Sequence, residues 1–202
     1  MEMDSMTARR IEASRTRPIW RATLAVSLTL VVIGCGKKEA QDSATSAIVR
    51  DAATSQQPAA IVDPDHPMLR IETNQGDITL RLDAVNARGT VRNFLNYANS
   101  SFYDNTIVHY VDADKLIVAG GYDRDRSPKP ARSPIRNEAH NGLKNVRGTI
   151  AMARDPSLID SATSQFFINL ADAPQRDYRG ETAEEYGYCV FGQVIEGLDI
   201  AQ

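Results

Sequence analysis

The residues that come closest to forming a chemical site lie on one short segment, Ser164–Leu170. In an extended strand successive side chains point to opposite faces, so Phe166 and Ile168 share one face. Gln165 and Phe167 then share the other face. A large aromatic ring beside an amide is typical of a pocket that grips an apolar group and hydrogen-bonds a backbone. A strand with both faces buried would give the same pattern, and the residues alone leave both interpretations open.

Metal and nucleophile chemistry have little support in the sequence. The two cysteines, Cys35 and Cys189, form no CxxC motif and cannot build a disulfide framework. The three histidines are scattered along the chain: His66, His109 and His140. The sequence therefore predicts no metal and no cofactor. Cys189 is predicted to be a buried apolar thiol, with a reactive redox cysteine as the alternative.

The bulk composition limits the class of protein. The chain has 202 residues, 42% of them apolar, which is enough for one packed core with additional segments. Its formal charge is -3, with acidic and basic residues intermixed. A nucleic-acid partner needs a basic stripe or patch. The sequence therefore predicts no nucleic-acid binding.

The segments that would position Gln165 and Phe167 begin with a hairpin. Apolar and polar residues alternate in Leu69–Thr73 and again in Ile78–Leu82. Between them Gly76 can supply the positive φ that a tight turn needs. The pattern predicts two paired strands with one face buried.

A helix and several short strands follow the hairpin. Thr90 is predicted to cap a helix whose apolar residues recur at helical spacing through Val91–Ala98. Further strands are predicted at Thr106–Val111, Leu116–Ala119, Gly148–Ala153, Ser164–Leu170 and Tyr188–Val194. Many short strands with few helices predict a mainly β fold, either a closed barrel or a sandwich.

Four runs of residues, in order and at matching spacing, resemble the cyclophilins. They are TVRNFLNYANSSFYDNTIVH (Thr90–His109), NEAHNGLKNVRGTIAMAR (Asn137–Arg154), SATSQFFINL (Ser161–Leu170) and YGYCVFGQVIEGLDI (Tyr186–Ile200). The resemblance implies an eight-stranded antiparallel barrel with two capping helices and a proline pocket on its outer face. It also implies peptidyl-prolyl cis-trans isomerase activity without a cofactor, in a monomer.

Some pocket positions of the family are kept. Phe167 matches the pocket floor, and Gln165 matches a catalytic side chain that binds substrate backbone. Ala153 matches the small residue that lets the substrate approach, and Tyr188 falls at the pocket rim. The resemblance thus favours a binding pocket over a doubly buried strand.

Other pocket positions are changed. The catalytic arginine of the family corresponds to Tyr110, whose phenol offers one hydrogen-bond donor and no charge. The substrate-binding Phe and Met of the family correspond to Leu116 and Ile117. Arg154 or Arg176 is able to replace the lost charge, but the sequence does not place either side chain.

These changes leave three functions open. The first is an isomerase of low activity that acts on proline peptides of exported or unfolded proteins. The second is a non-catalytic cyclophilin-like module that binds peptides or serves as a chaperone. The third is a barrel with no ligand. Tyr110 separates the first two, because loss of the charged donor should slow catalysis.

The N-terminal region resembles a bacterial lipoprotein signal. A basic leader precedes an apolar run, Ala22–Gly34, that is too short to span a hydrocarbon core of about 30 Å. Val32-Ile33-Gly34-Cys35 resembles a lipobox, which implies cleavage after residue 34 and lipidation of Cys35. A buried N-terminal helix that contains a cysteine is the alternative. The signal predicts a membrane-anchored protein that faces the periplasm or the cell exterior.

The remaining chain divides into a tether and a domain. Residues 35–66 are rich in Ala, Ser, Thr, Gln and Asp and predict a flexible tether. Residues 67–202 form the cyclophilin-like domain, which stops inside what should be its last helix. The family continues into a final strand that is absent from this sequence. We therefore expect an incomplete barrel with an open edge.

Overall fold

The computed structural model describes residues 7–13, 63–112 and 114–202. In chain order its strands and its α-helix are β1 Thr7–Ala13, β2 Met68–Thr73, β3 Asp77–Leu82, α1 Arg88–Asn99, β4 Thr106–Asp112, β5 Leu116–Asp123, β6 Thr149–Met152, β7 Phe166–Asn169 and β8 Val190–Glu196. Every strand and the helix predicted from the sequence correspond to one of these elements, within a few residues at each end. Strand β1 was not predicted.

Strands β2 and β3 form the predicted hairpin. The backbone N–H of Thr73 donates to the Gly76 carbonyl over 3.0 Å, which closes the turn. Gly76 has a φ of +143°, and a Cβ at this position would lie 2.8 Å from Cδ1 of Ile200. The turn therefore requires glycine. The alternating apolar residues of both strands are buried, which confirms the predicted one-sided hairpin: Leu69, Ile71, Ile78, Leu80 and Leu82.

The first turn of α1 is capped from a distant loop. The backbone N–H of Gly89 donates to Oε1 of Glu138 over 3.1 Å. The backbone N–H and the hydroxyl of Thr90 donate to Oε2 over 2.8 and 2.7 Å. A carboxylate at this end satisfies otherwise unpaired donors and complements the helix dipole. The prediction that Thr90 caps the helix was wrong, because Thr90 lies inside its first turn and donates to Glu138.

Replacing Glu138 with alanine is expected to lower the free energy of unfolding by about 1–2 kcal/mol, the range measured for lost helix caps. Chemical denaturation of the two proteins measures this difference. Glu184→Ala is the matched control, because Glu184 is exposed. Equal losses in both variants would show that the contacts of Glu138 do not stabilise α1.

The strands make a single antiparallel sheet. Seven of them, between residues 68 and 196, follow the order β2-β3-β8-β6-β7-β5-β4. Strand β1 pairs antiparallel with β2 at five positions and with β4 at two. It thereby closes the sheet into a barrel.

The prediction of an open barrel edge was wrong, because β1 lies between β2 and β4 and pairs with both. This strand comes from the N-terminal residues and not from the end of the chain. It lies within the residues predicted to form a signal peptide. Cys35 and most of the predicted tether lie outside the described residues. No helix in the described part of the chain is long and apolar enough to cross a membrane.

The barrel interior is packed around the aromatic face of α1. The Phe94 ring lies 5.3 Å from Phe166 and 5.0 Å from Phe191, measured between ring centroids. Phe94 and both partners belong to the interior cluster, so α1 packs over the barrel interior. The second capping helix expected from the family resemblance is not among the described elements. The chain there forms a single 3-10 turn, Asp199–Ala201.

Candidate active site

Strand β7 separates two apolar clusters. Phe166 and Ile168 belong to the barrel interior, whereas Phe167 belongs to a smaller cluster on the opposite face. We call this second set the outer cluster. Its buried members are Leu116, Ala151, Phe167 and Val190. The alternation predicted from the sequence is therefore confirmed.

Phe167 lies at the centre of a row of residues that crosses five strands. Antiparallel pairing sets it opposite Val118 on β5 and Ala151 on β6. Val118 is in turn paired with Tyr110 on β4, and Ala151 with Val190 on β8. Directly paired residues share one face of a sheet. Tyr110 therefore lies on the same face as Phe167, two strands away, which is about 10 Å.

Phe167 is only 3% exposed, and two side chains contact its ring. The Tyr188 ring meets it edge-on, with centroids 5.6 Å apart. The Arg176 guanidinium carbon lies 5.7 Å from the Phe167 centroid. An arginine at this distance from an aromatic face makes a cation–π contact.

The two arginines proposed as replacements for the lost charge differ in how their donors are used. The Arg154 guanidinium donates to the carbonyls of Gly187, Ala183 and Asp155 over 2.8, 2.6 and 2.9 Å. It also lies 5.0 Å from the centroid of the Tyr188 ring. These hydrogen bonds therefore join the segment that contains Ala183 and Gly187 to the segment that contains Arg154. Among the described residues the Arg176 guanidinium has no hydrogen bond or ion pair, so its donors stay available.

Gln165 extends over Gly121 at one end of the outer cluster. A Cβ at Gly121 would lie 2.6 Å from Cγ of Gln165, so only glycine leaves room for this side chain. The Gln165 side chain also lies close enough to the His109 imidazole to favour the charged ring. The His109 ring also packs on Tyr122, with centroids 4.6 Å apart. Gln165 is thus held on the same face as Phe167.

The remaining predicted site residues are divided between the two faces. Leu116 lies in the outer cluster, and Ala153 and Tyr188 pack against it. Ile117 is buried in the barrel interior, so its assignment to the pocket needs correction. Neighbouring residues in a regular strand face opposite ways, and Leu116 and Ile117 cannot both line one pocket. Tyr110 is on the outer face and is 52% exposed.

The sequence did not identify His109, Tyr122 or Leu143 as site residues. Leu143 packs against the outer cluster, and the two aromatic residues support Gln165. The relevant irregularity is a β-bulge that inserts one residue in β4 next to Tyr110. A bulge turns consecutive side chains toward the same side.

Among the described residues no group of three His, Cys, Asp or Glu side chains is placed to hold a metal ion. Cys189 is buried, which confirms the interpretation as a buried thiol. Burial raises the pKa of Cys189 to about 12, and the thiol stays protonated.

Comparison with known proteins decides the family. The sequence pattern of the family described as "Cyclophilin type peptidyl-prolyl cis-trans isomerase/CLD" matches residues 68–202. This chain is a cyclophilin. It is therefore an enzyme of the peptidyl-prolyl cis-trans isomerase class.

Bacterial relatives cover most of this cyclophilin domain. Peptidyl-prolyl cis-trans isomerase B of Escherichia coli (strain K12) is 45% identical over 133 residues, which are 66% of this chain and 80% of the relative. Peptidyl-prolyl cis-trans isomerase A of Dickeya dadantii (strain 3937) is 47% identical over 131 residues, 65% of this chain and 67% of the relative.

Solved cyclophilin structures agree with the fold. The crystal structure of a cyclophilin type peptidyl-prolyl cis-trans isomerase from Cryptosporidium parvum matches with a TM-score of 0.57 and 28% identity, over 67% of this chain and 81% of that one. A second structure of that protein, in the presence of the dipeptide Ala-Pro, matches with a TM-score of 0.53 and 27% identity. It covers 65% of this chain and 80% of that one.

The imidazole beside Gln165 gives this cyclophilin a pH-sensitive contact. Partial burial lowers the pKa of His109 below 6.5, and the neighbouring Gln165 side chain, which favours the charged ring, only partly offsets this. A lowered pKa means that the folded state favours the neutral ring. The stability contributed by His109 is therefore present above pH 6.5 and is lost as the pH falls through the folded pKa.

Peptide affinity of this cyclophilin is expected to fall as the pH drops below 6.5, because a protonated His109 has an N–H donor on both ring nitrogens and holds the Gln165 amide oxygen, which is then less available to the substrate backbone. His109→Asn is expected to remove most of this pH dependence. The pH profile of peptide binding for the two proteins measures it. Identical profiles would show that His109 does not control the site.

Proposed function

We propose that this cyclophilin isomerises X-Pro bonds in exported proteins, with low activity, from a lipid anchor at Cys35. The observation that carries this proposal is the outer cluster, where a buried aromatic ring lies on a barrel face away from the main core. Phe167 provides an apolar floor, Tyr188 an aromatic wall and Gln165 a backbone-binding amide. This is the arrangement that a proline ring and its flanking amides require.

Proline isomerisation needs little chemistry from the protein. The barrier to rotation about a peptide bond is about 18–20 kcal/mol and comes from amide resonance. An X-Pro bond left alone rotates in tens to hundreds of seconds. An apolar pocket favours the twisted amide by excluding water, and a donor directed at the prolyl nitrogen weakens the resonance. No covalent step or cofactor enters.

Low activity is proposed because of the donors available around Phe167. Tyr110 stands where the family carries an arginine, and its phenol supplies one donor without charge. It is also exposed to water, which weakens a hydrogen bond to the substrate. The Arg176 guanidinium lies at the Phe167 ring and carries the charge that Tyr110 lacks. Because this charge lies at the proposed proline site, we favour an isomerase of low activity over a protein that only binds peptides.

Proline-containing peptides are the proposed ligands, including segments of unfolded exported proteins. The Cryptosporidium parvum relative was crystallised in the presence of Ala-Pro, which supports this class of ligand. The kept positions Gln165, Phe167 and Ala153 are those that the family resemblance assigns to backbone and proline binding. We propose that the protein acts on them as a monomer.

The experiment that tests the proposal is a proline-isomerisation assay on the protein and on Tyr110→Arg. Restoring a charged, multi-donor group is expected to raise kcat/KM by about tenfold, which corresponds to ~1.4 kcal/mol of transition-state stabilisation. Tyr110→Phe is the matched control, because it keeps the ring and removes the hydroxyl. Its activity is expected to be at or below that of the parent.

A non-catalytic peptide-binding or chaperone module is the second candidate, favoured by the absence of the arginine at Tyr110. No activity in the parent together with a gain in Tyr110→Arg would support this module and reject the working enzyme. Equal activity of the parent and both variants would show that residue 110 is not decisive.

The lipid anchor is supported by the basic leader, the short apolar run and Cys35. Two acyl chains would give stable membrane attachment. Metabolic labelling with a fatty acid analogue in a bacterial host tests the anchor, with Cys35→Ser as the control. Label in the parent alone supports it, and label in neither protein rejects it.

A further inference from the structure

A cavity of about 310 Å³, lined by both polar and apolar residues, lies beside the outer cluster. Leu143 and Val190 line this cavity and also belong to, or pack against, the outer cluster. We call it the side pocket. Because these two residues are shared, the side pocket adjoins the outer cluster.

The strand register sets the distance between the two sites. Val190 lies two strands from Phe167 through Ala151, and Arg81 on β3 pairs with Gln193 on β8. Strands are about 4.8 Å apart, so the side pocket begins roughly 10–15 Å from Phe167. An extended polypeptide spans about 3.3 Å per residue. A ligand residue in the side pocket is therefore three or four positions from the bound proline.

The basic groups of the side pocket are free or only weakly paired. Arg81 is exposed, and no described residue makes an ion pair or a side-chain hydrogen bond with it. Lys144 lies 3.6 Å from Asp177, and its side chain is 59% exposed. His66 is already paired with Asp63 over 3.1 Å. Arg81 therefore presents its planar set of donors to any ligand, and Lys144 adds charge.

The acidic groups nearby are occupied by the protein itself. Asp83 lines the side pocket, and its carboxylate accepts the backbone N–H groups of Val85 and Asn86 over 3.1 and 2.9 Å. It also accepts the Asn86 side-chain amide over 2.8 Å. Asp177 accepts the backbone N–H of Asn145 over 2.7 Å. These carboxylates keep their charge but already have hydrogen-bond donors, whereas the Arg81 guanidinium is the charged group of the side pocket that has no partner among the described residues.

We infer that the side pocket binds a carboxylate of the polypeptide whose proline occupies the outer cluster, three or four residues from that proline. This inference rests on the proposed function. A carboxylate can accept two parallel hydrogen bonds from Arg81, and Lys144 contributes a second charge. The carboxylate is either an Asp or Glu side chain or the C-terminus of the ligand.

Three peptides distinguish these two sources of the carboxylate in a binding assay on the full chain. The first has one proline, glutamate at the third and fourth positions on either side, and an amidated end. The second has glutamine in place of every glutamate. The third is the glutamine peptide cut to end, with a free carboxylate, four residues after the proline.

Tighter binding of the glutamate peptide than of the glutamine peptide, by about fivefold to tenfold, is expected from charge-assisted hydrogen bonds. Arg81→Gln is expected to remove the difference. Arg92→Gln is the matched control, because Arg92 is exposed on α1 and does not line the side pocket. If only the free-ended glutamine peptide gains affinity, the inference stands with the C-terminus as the source.

Equal affinity for all three peptides, or a glutamate preference that survives Arg81→Gln, would overturn the inference while leaving proline binding intact. Failure of every peptide to bind would instead reject the proposed function. In that case the side pocket is tested by adding proline-free diglutamate and recording the backbone amide signals of Arg81 and Gln193. Absence of a shift would then overturn the inference, and a shift that Arg81→Gln abolishes would support it.

Discussion

A chain reduced to residues 60–202 is expected to melt roughly 10 °C below the full chain. The shorter chain loses β1, which pairs with β2 at five positions and with β4 at two. Backbone hydrogen bonds contribute about 0.5–1.5 kcal/mol each, so the loss is about 3–5 kcal/mol. For a protein of this size each kcal/mol shifts the melting temperature by about 2–4 °C. Differential scanning calorimetry of both chains measures the shift.

The control for this comparison is a full chain from which residues 40–52 are deleted. This variant keeps β1 and shortens only the predicted tether, so its melting temperature should stay near that of the parent. A monomeric 60–202 chain that melts cooperatively within about 2 °C of the parent would contradict the expectation. Size-exclusion chromatography should accompany the calorimetry, because unpaired edges of β2 and β4 invite association with a second chain.

The same experiment bears on the proposed lipoprotein. Cleavage before Cys35 would remove Thr7–Ala13 together with the signal, and the mature domain would then expose the edges that β1 pairs in the structure. The proposed anchor therefore requires removal of the N-terminal residues, whereas the closed barrel requires that they stay. A low melting temperature of the 60–202 chain would show that cleavage before Cys35 destabilises the domain by exposing these edges.

Local patterns were sufficient to predict most of the sheet and the position of Phe167. Alternation decides which residues of a strand share a face, and from the sequence alone it places Phe166 and Phe167 on opposite sides of β7. The same rule, applied to β5, separates Leu116 from Ile117. The resemblance to the family nevertheless assigned both residues to the pocket, against the alternation rule. The structure buries Ile117 in the interior.

Contacts between distant segments could not be predicted in this way. Glu138 caps a helix that begins about 50 residues earlier in the chain, and neither segment contains a signal for the other. Arg176 follows Pro174 in a short 3-10 turn, and only the path of that turn brings its guanidinium to Phe167. The β1 pairing is also long-range and joins the chain's N-terminal residues to β2 and β4. Tertiary packing decides each of these positions.

Replacing Phe167 with alanine is expected to weaken proline-peptide affinity by about thirtyfold, which is typical of a buried aromatic anchor worth ~2 kcal/mol or more. The ring is the floor of the outer cluster and also the partner of Arg176 and Tyr188. Removing it opens a void, and the free energy of unfolding should fall by about 3 kcal/mol. Affinity must therefore be measured well below the melting temperature of the variant.

Two further variants separate the binding role of the Phe167 ring from its packing role. Phe102→Ala removes a partly buried ring that packs on Tyr97, outside the outer cluster, and should lower stability while leaving affinity unchanged. Phe167→Leu keeps most of the apolar volume but loses the aromatic face that Arg176 contacts. It should retain most of the stability and still lose affinity severalfold. If Phe167→Leu bound peptides as tightly as the parent, the ring would serve only to fill space, and the proline site would have to lie elsewhere on the barrel.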